Sequence, residues 1–300
     1  MNDLAYYKLR PHLSASSVND YIDCGLLYRL SRIDRIPPEF KTDALEFGST
    51  IHFVLTGFYK EKKLGNRLLL KDIQESFEGF WKEMAQDNPE IRYSEGEDFD
   101  TLLKKGRELL AVWHSKLPEN DFRVIGVEEP FVLIRRDLSV PIIGYIDLLE
   151  EDEAGTIVVT DFKTSGRSYS ADEVNKNLQL TIYQISIREN GFRNREILLK
   201  LDCLVKTKTP KFEQFYTSRS EIEERRTIKK VQEVWRGMKE GILIPNDGHW
   251  RCQNCGYKKK CDEFLEDGLA EDCNHSNRPA QNLTLSGGNG ERKKVESGKP

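Results

Sequence analysis

The sequence predicts an α/β fold, a mixed β-sheet with helices on its faces. Between residues 122 and 164, three stretches rich in β-branched residues follow one another, broken by turn signals. A stretch with helical spacing then separates them from a further strand pair. The composition, 38% hydrophobic and 32% charged, can fill a core for one large domain or two modest ones. No apolar run approaches the roughly 20 residues of a bilayer span, and "MNDLAYYKLRPHLSASS" lacks the apolar centre of a signal peptide. A cytoplasmic protein without membrane contact is expected.

In chain order, "LSASSVNDYIDCGLLYRLSRI" places Val18, Tyr21, Ile22, Leu26 and Leu30 at helical spacing, with N-caps available from Ser14 to Ser17. "DALEFGSTIHFVLTGFYKE" sets Phe47, Ile51, Val54, Leu55 and Phe58 on one side of a second helix. Helical stretches at roughly 70–86 and 97–116 suggest an inserted helical layer over about 60–120. The strands are "FRVIGVEEPFVLIRR", "VPIIGYIDLLEE" and "GTIVVTDFKT". A helix opened by a Ser170–Glu173 capping box follows, then a hairpin turning near Thr209-Pro210, then a charged helix opened by Ser220 and Glu223. From about 274 the chain is polar and rich in Gly, Ser and Asn, the composition of a disordered tail, so the expected domain is 1–273.

The strand pair "GYIDLLEEDEAGTIVVTDFKTSG" carries Asp147, Asp161 and Lys163 among apolar residues. Buried carboxylates need partners or ions. Two carboxylates at one sheet edge suit Mg²⁺ or Mn²⁺, and Lys163, two residues beyond Asp161, projects to the same face. Such a metal polarises a phosphoryl oxygen and activates water, so the set has the form of a phosphodiester-cleaving site. Taken singly the pieces are plain: D-x-K fits a surface salt bridge, and His52 on an apolar helix fits a packed histidine. Gln179 and Tyr183 share a helix face at i and i+4. The net charge of −4 excludes a basic nucleic-acid coat while leaving room for a local basic groove. Lys206, Lys208, Lys211 and Lys258 to Lys260 are candidates for that groove. His12, His114, His249 and His275 fit no motif.

In order, G-x-x-x-H (Gly48, His52), G-x-x-D (Gly144, Asp147), D-x-K (Asp161, Lys163) and Q-x-x-x-Y (Gln179, Tyr183) resemble the RecB-type branch of the PD-(D/E)XK nuclease superfamily over about Leu13 to Phe264. The resemblance implies a restriction-endonuclease-like sheet core flanked by helices. It implies His52, Asp147 and Asp161 as metal ligands, helped by the backbone carbonyl of Phe162. Lys163 would be the catalytic lysine, with Gln179 and Tyr183 supporting the site and the DNA strand.

Six cysteines without a secretory signal point to metal rather than disulfides. Cys252, Cys255 and Cys261 form C-x2-C-x5-C, and Cys24 on the first helix is the natural fourth thiolate. Four thiolates fit Zn²⁺ or an iron–sulfur cluster, and spacing does not decide. The layout, one cysteine before the nuclease motifs and three after, resembles the iron–sulfur RecB-like nucleases, which include AddB-type helicase-nucleases and CRISPR-associated RecB-like exonucleases. The resemblance implies a [4Fe–4S] cluster on Cys24, Cys252, Cys255 and Cys261, stapling segments 13–31 and 245–265. Gly25 departs from it, since many relatives have proline there. Cys203 reads as a buried thiol and Cys273 borders the tail. The expected function is a metal-dependent DNA nuclease, chiefly a single-strand exonuclease in repair, recombination or CRISPR or phage DNA processing. With no Walker A motif, helicase activity would come from a partner. The rival readings are a DNA-end-binding subunit with little activity alone and a zinc-bound interaction module.

Overall fold

A computed structural model describes residues 4–117, 122–248 and 250–275. The chain divides into two compact units, Met1–Lys258 and Lys259–Pro300.

In the first unit, α1 (Leu4–Lys8), α2 (Ala15–Asp23) and α3 (Gly25–Tyr28) lead through a π turn to β1 (Lys41–Thr42), α4 (Asp43–Lys63), α5 (Leu70–Ala85), β2 (Ile91–Arg92) and α6 (Phe99–Ser115). β3 (Arg123–Leu133), β4 (Ile142–Glu151) and β5 (Ile157–Ser165) follow, then α7 (Ala171–Asn175), α8 (Leu178–Ile187), β6 (Ile197–Val205), β7 (Lys211–Thr217) and α9 (Glu221–Lys239). The last described helix, α10 (Lys258–His275), contains all that is described of the second unit. It runs just past the expected tail boundary at 274; residues 276–300 lie outside the described set.

The main sheet has the order β3-β4-β5-β6-β7. Only the β5–β6 pair is parallel, because α7 and α8 carry the chain across between them. One sheet face packs under α2, α8 and α9, with Ile157, Val159, Leu199, Ile182 and Val231 in that core. The other packs under α4, α5 and α6, where Phe47, Phe77 and Trp81 are fully buried. Each such side chain contributes roughly 1.5–3 kcal/mol. The helical stretch around 60–120 is thus the cover of one sheet face.

Two expected helices are interrupted. The first stops at Cys24, whose backbone is extended (φ −165, ψ 111). There the Cys24 N–H bonds Asp20 O at 2.9 Å and the Gly25 N–H bonds Ile244 O at 2.9 Å. Ile22 is exposed as a result of the way α2 docks. The stretch after Ser170 splits because Asn177 N-caps α8, its side chain accepting from Leu180 N at 3.0 Å. The capping boxes at Ser170–Glu173 and Ser220–Glu223 are both formed.

Candidate active site

The site lies where the sheet forks. β4 and β5 pair from Glu151↔Ile157 only as far as Leu148↔Thr160. β4 continues beside β3 to Ile142, while β5 continues beside β6 to Ser165. Asp147 and Asp161 are the first residues past the shared ladder. β4 also turns over at this point. Ile146 packs in the core under α8 and Leu148 in the core under α4, although residues two apart on a regular strand share a face. β3 does the same across Glu128, which has a left-handed φ of 48 and falls between the paired residues Val127↔Leu148 and Glu129↔Ile146. Sequence reading missed Glu128; the acidic pair "EE" inside an apolar strand was its only signal.

The fork leaves the Phe162 N–H without a ladder partner, and Asp147 Oδ2 accepts it at 2.8 Å. The same oxygen lies 3.0 Å from His52 Nε2, brought in by α4. α4 starts at Thr42, whose side chain caps Leu45 N, and the buried residues Phe47, Ile51, Val54 and Leu55 fix its rotation. Phe162 is wedged beneath, stacked on Tyr59 at 5.6 Å and edge-on to His52 at 5.8 Å.

Asp161 and Lys163 point to the opposite face, toward α8. Lys163 Nζ is 2.7 Å from Asp161 Oδ2 and donates to Gln179 Oε1 at 3.1 Å. Gln179 Nε2 in turn donates to Tyr183 OH at 2.5 Å. The Asp161 carboxylate is fully buried, and apart from its ion pair with Lys163 neither oxygen has a well-aligned hydrogen bond. Burial pushes its pKa up to about 6, against the pull of Lys163 and with help from the Asp147 charge. Burial draws Lys163 down, but the Asp161 and Asp147 charges outweigh it and its pKa ends raised. His52 follows the same pattern: burial lowers it, and the Asp147 hydrogen bond together with the Asp147 and Asp161 charges leaves it raised. Tyr183 is raised well above the usual phenol range by burial and the two aspartates, so it stays protonated.

This donor set fits a divalent cation. A buried carboxylate with unspent lone pairs, a second carboxylate and an imidazole match the preferences of Mg²⁺ and Mn²⁺. The cation would also relieve the burial penalty on Asp161. Among the described residues no three His, Cys, Asp or Glu side chains already converge as a finished cage, since Asp147 is turned to His52 and Asp161 to Lys163.

The sequence-expected residues His52, Asp147, Asp161, Phe162, Lys163, Gln179 and Tyr183 are therefore brought together through two hydrogen-bonded chains, one on each side of β5. Gly48 lines the cavity beside them, and Gly144 packs under the Phe131 ring, where a Cβ would come within 2.8 Å. Lys206 is not part of an outer groove: its ammonium lies over the Phe47 ring at 5.1 Å, near Asp43 and Glu97, and burial lowers its pKa. His12 Nδ1 bonds Arg10 O at 2.7 Å, away from the site, and His249 lies outside the described residues.

In the first unit, the segment 242–256 is fastened to the end of α2. Tyr21 OH donates to Ile242 O at 2.5 Å, Asn246 Nδ2 to Asp23 O at 2.9 Å, and Arg251 pairs with Asp20 at 3.2 Å and Asp23 at 2.9 Å. A Cβ on Gly25 would meet Ile244 N at 2.8 Å, and proline would lose the Gly25–Ile244 hydrogen bond, so backbone contact explains the departure from proline. Cys24, Cys252 and Cys255 are free thiols in this region. Burial raises the Cys255 pKa, with smaller contributions from Cys252 and Cys24; among the described residues no three Cys, His, Asp or Glu side chains are gathered closely enough to hold a metal. Cys261 belongs to the second unit. Cys203 is fully buried in β6, and burial pushes its thiol up to about 12.

Carboxylates, a lysine and an amide chain at the fork of a mixed sheet make this the candidate active site. The sequence profile of the PD-(D/E)XK nuclease superfamily matches residues 12–262, and the chain belongs to that superfamily. Among solved structures, one of an exonuclease candidate from Eubacterium rectale aligns over 84% of this chain and 90% of its own, at 14% identity and a TM-score of 0.49. SSO0001 aligns over 81% and 92%, at 13% identity and a TM-score of 0.35. No curated protein matches. Among the described residues no helix is long and apolar enough to cross a membrane.

Proposed function

We propose that the chain is a metal-dependent DNA nuclease that removes nucleotides from the end of a single strand. The observation that carries the nuclease reading is Asp161, a fully buried carboxylate whose Oδ2 pairs with Lys163 and whose Oδ1 has no hydrogen-bond partner. His52, Asp147, Asp161 and the carbonyl of Phe162 would hold Mg²⁺ or Mn²⁺. When bound, the cation polarises a phosphoryl oxygen and lowers the pKa of a water. Lys163 spends two of its three N–H donors on Asp161 and Gln179, and the third is available to a phosphate oxygen or the attacking water. Tyr183 fixes the Gln179 amide by accepting from Nε2, which keeps Oε1 facing the lysine. Action on single strands and from an end is supported by the resemblance to the iron–sulfur branch.

A [4Fe–4S] cluster on Cys24, Cys252, Cys255 and Cys261 belongs to the same proposal. It is supported by the C-x2-C-x5-C spacing and by the fastening of 242–256, which carries Cys252 and Cys255, to the end of α2 beside Cys24. Its role would be to reinforce the hydrogen-bonded contact of α2 with 242–256.

The test uses anaerobically purified protein and single-stranded DNA labelled at the 5′ or 3′ end, with Mg²⁺, Mn²⁺ or EDTA. Metal-dependent shortening from one end, lost in Lys163→Ala, is the expected result. Iron bound by wild type and lost in Cys24→Ala supports the cluster, whereas zinc in its place overturns it. A folded, iron-loaded protein that binds DNA ends without cutting would replace the nuclease reading with end binding.

A further inference from the structure

A cavity of about 460 Å³ runs along α4 beside the fork. His52, Phe162 and Lys163 line it together with Leu45, Gly48 and Phe53. Its volume is within the roughly 300–1,000 Å³ of small-ligand sites. Three parts of the wall are not explained by folding. Leu45 is 60% exposed and Phe53 53% exposed. The Phe53 ring is nevertheless braced, edge to face with Phe80 at 4.1 Å. Gly48 sits within α4, where glycine weakens a helix relative to alanine. Nothing in the fold demands it: its φ is not left-handed, and an added Cβ would meet only Thr164 Cβ, at an ordinary 3.9 Å. The acidic wall residue, Glu128, is neutralised by Lys60 at 2.6 Å.

We propose that this cavity seats one unpaired nucleotide of the substrate strand. Its base stacks on Phe53, and its sugar–phosphate passes close over Gly48 to the scissile bond beside His52 and Lys163. The inference rests on the nuclease reading above and adds to it the means of choosing single strands. In a duplex, each base face is covered by its neighbours and each pairing edge by its partner. An exposed, braced phenyl ring takes an unpaired base of any kind, because every base has a π-face. Gly48 then serves the ligand: any side chain there would stand in the path of the strand.

The opposite signs expected for stability and binding make Gly48→Ala the sharpest test. Its Tm should equal or exceed that of wild type, while its affinity for a fluorescent single-stranded oligonucleotide, measured by anisotropy in EDTA, falls several-fold. Phe53→Ala should weaken the same binding by about 5-fold to 100-fold, Phe53→Tyr should restore it, and a fully abasic probe should bind wild type and Phe53→Ala alike. Wild type that binds and cuts single strands with both alanine variants unaffected overturns the subsite alone. A lowered Tm in Gly48→Ala overturns the close approach of the strand. Wild type that neither binds nor cuts any DNA overturns the nuclease reading itself.

Discussion

Asp161→Asn should make the metal-free protein more stable. Burial raises the Asp161 pKa from 3.8 to about 6 in the folded state, and the attraction of Lys163 is already contained in that value. The shift corresponds to about 3 kcal/mol of penalty on the charged form. Because the folded pKa lies above the unfolded one, the folded state holds the proton more tightly. The group's contribution to stability is therefore fully present below about pH 4, is lost as pH rises toward 6, and is flat above. At pH 8 in EDTA wild type carries the whole penalty, and a neutral side chain of the same shape does not. For a domain of this size the difference is on the order of 6 °C in Tm. Thermal unfolding followed by circular dichroism from pH 4 to 8 reads it directly. The advantage of Asp161→Asn should shrink toward pH 4. Added Mn²⁺ should reverse it, raising wild type through binding to the folded state and leaving the variant little changed. A variant less stable than wild type at pH 8 in EDTA would mean that the carboxylate supports the fold, and the argument for a strained ligand would fail.

Tyr183→Phe removes the acceptor that orients Gln179, so cleavage should drop at least tenfold while Tm moves by only a few degrees, since one neutral hydrogen bond is worth about 1 kcal/mol; an equal loss of both would make the tyrosine a packing residue. Gly25→Ala forces a Cβ against the Ile244 backbone and should destabilise by about 1–3 kcal/mol, seen as faster proteolysis within 242–256. Lys200→Met should cost about 3–5 kcal/mol, because Lys200 is the buried partner of Glu150 at 3.1 Å and Asp202 at 3.6 Å. Denaturant unfolding checks this, and a variant as stable as wild type would show the ionic group to be idle.

Much of the fold is legible in the sequence because it is written locally. The buried stripe of α4 and the two capping boxes depend on residues within one or two turns, and they form where spacing says they should. The helix end at Cys24 and the placement of Lys206 are different. The apolar spacing from Val18 to Leu30 runs through Cys24 unbroken, and what ends the helix there is a carbonyl at Ile244, far along the chain. Lys206 reads as a candidate for a basic groove, and only tertiary packing sets its ammonium over Phe47 of α4. The candidate site divides in the same way. Its residue types are visible as motifs, but no periodicity shows that the β4–β5 ladder ends at Leu148 and Thr160.

That ending explains how one strand can supply a polar site without spoiling either core. Asp161 and Lys163 lie on the α8 face of β5, while Phe162 lies on the α4 face and meets His52. A closed ladder would keep the two faces apart by the thickness of the sheet. Where β4 and β3 turn over, at Asp147 and Glu128, the gap lets one carboxylate satisfy the orphaned Phe162 N–H and reach the imidazole from the other side. The unpaired strand amide, a polar group that would otherwise be buried at a cost of about 1–3 kcal/mol, thus fixes the position of Asp147. The backbone defect and the carboxylate solve each other's problem, so the site is held by the same irregularity that creates it.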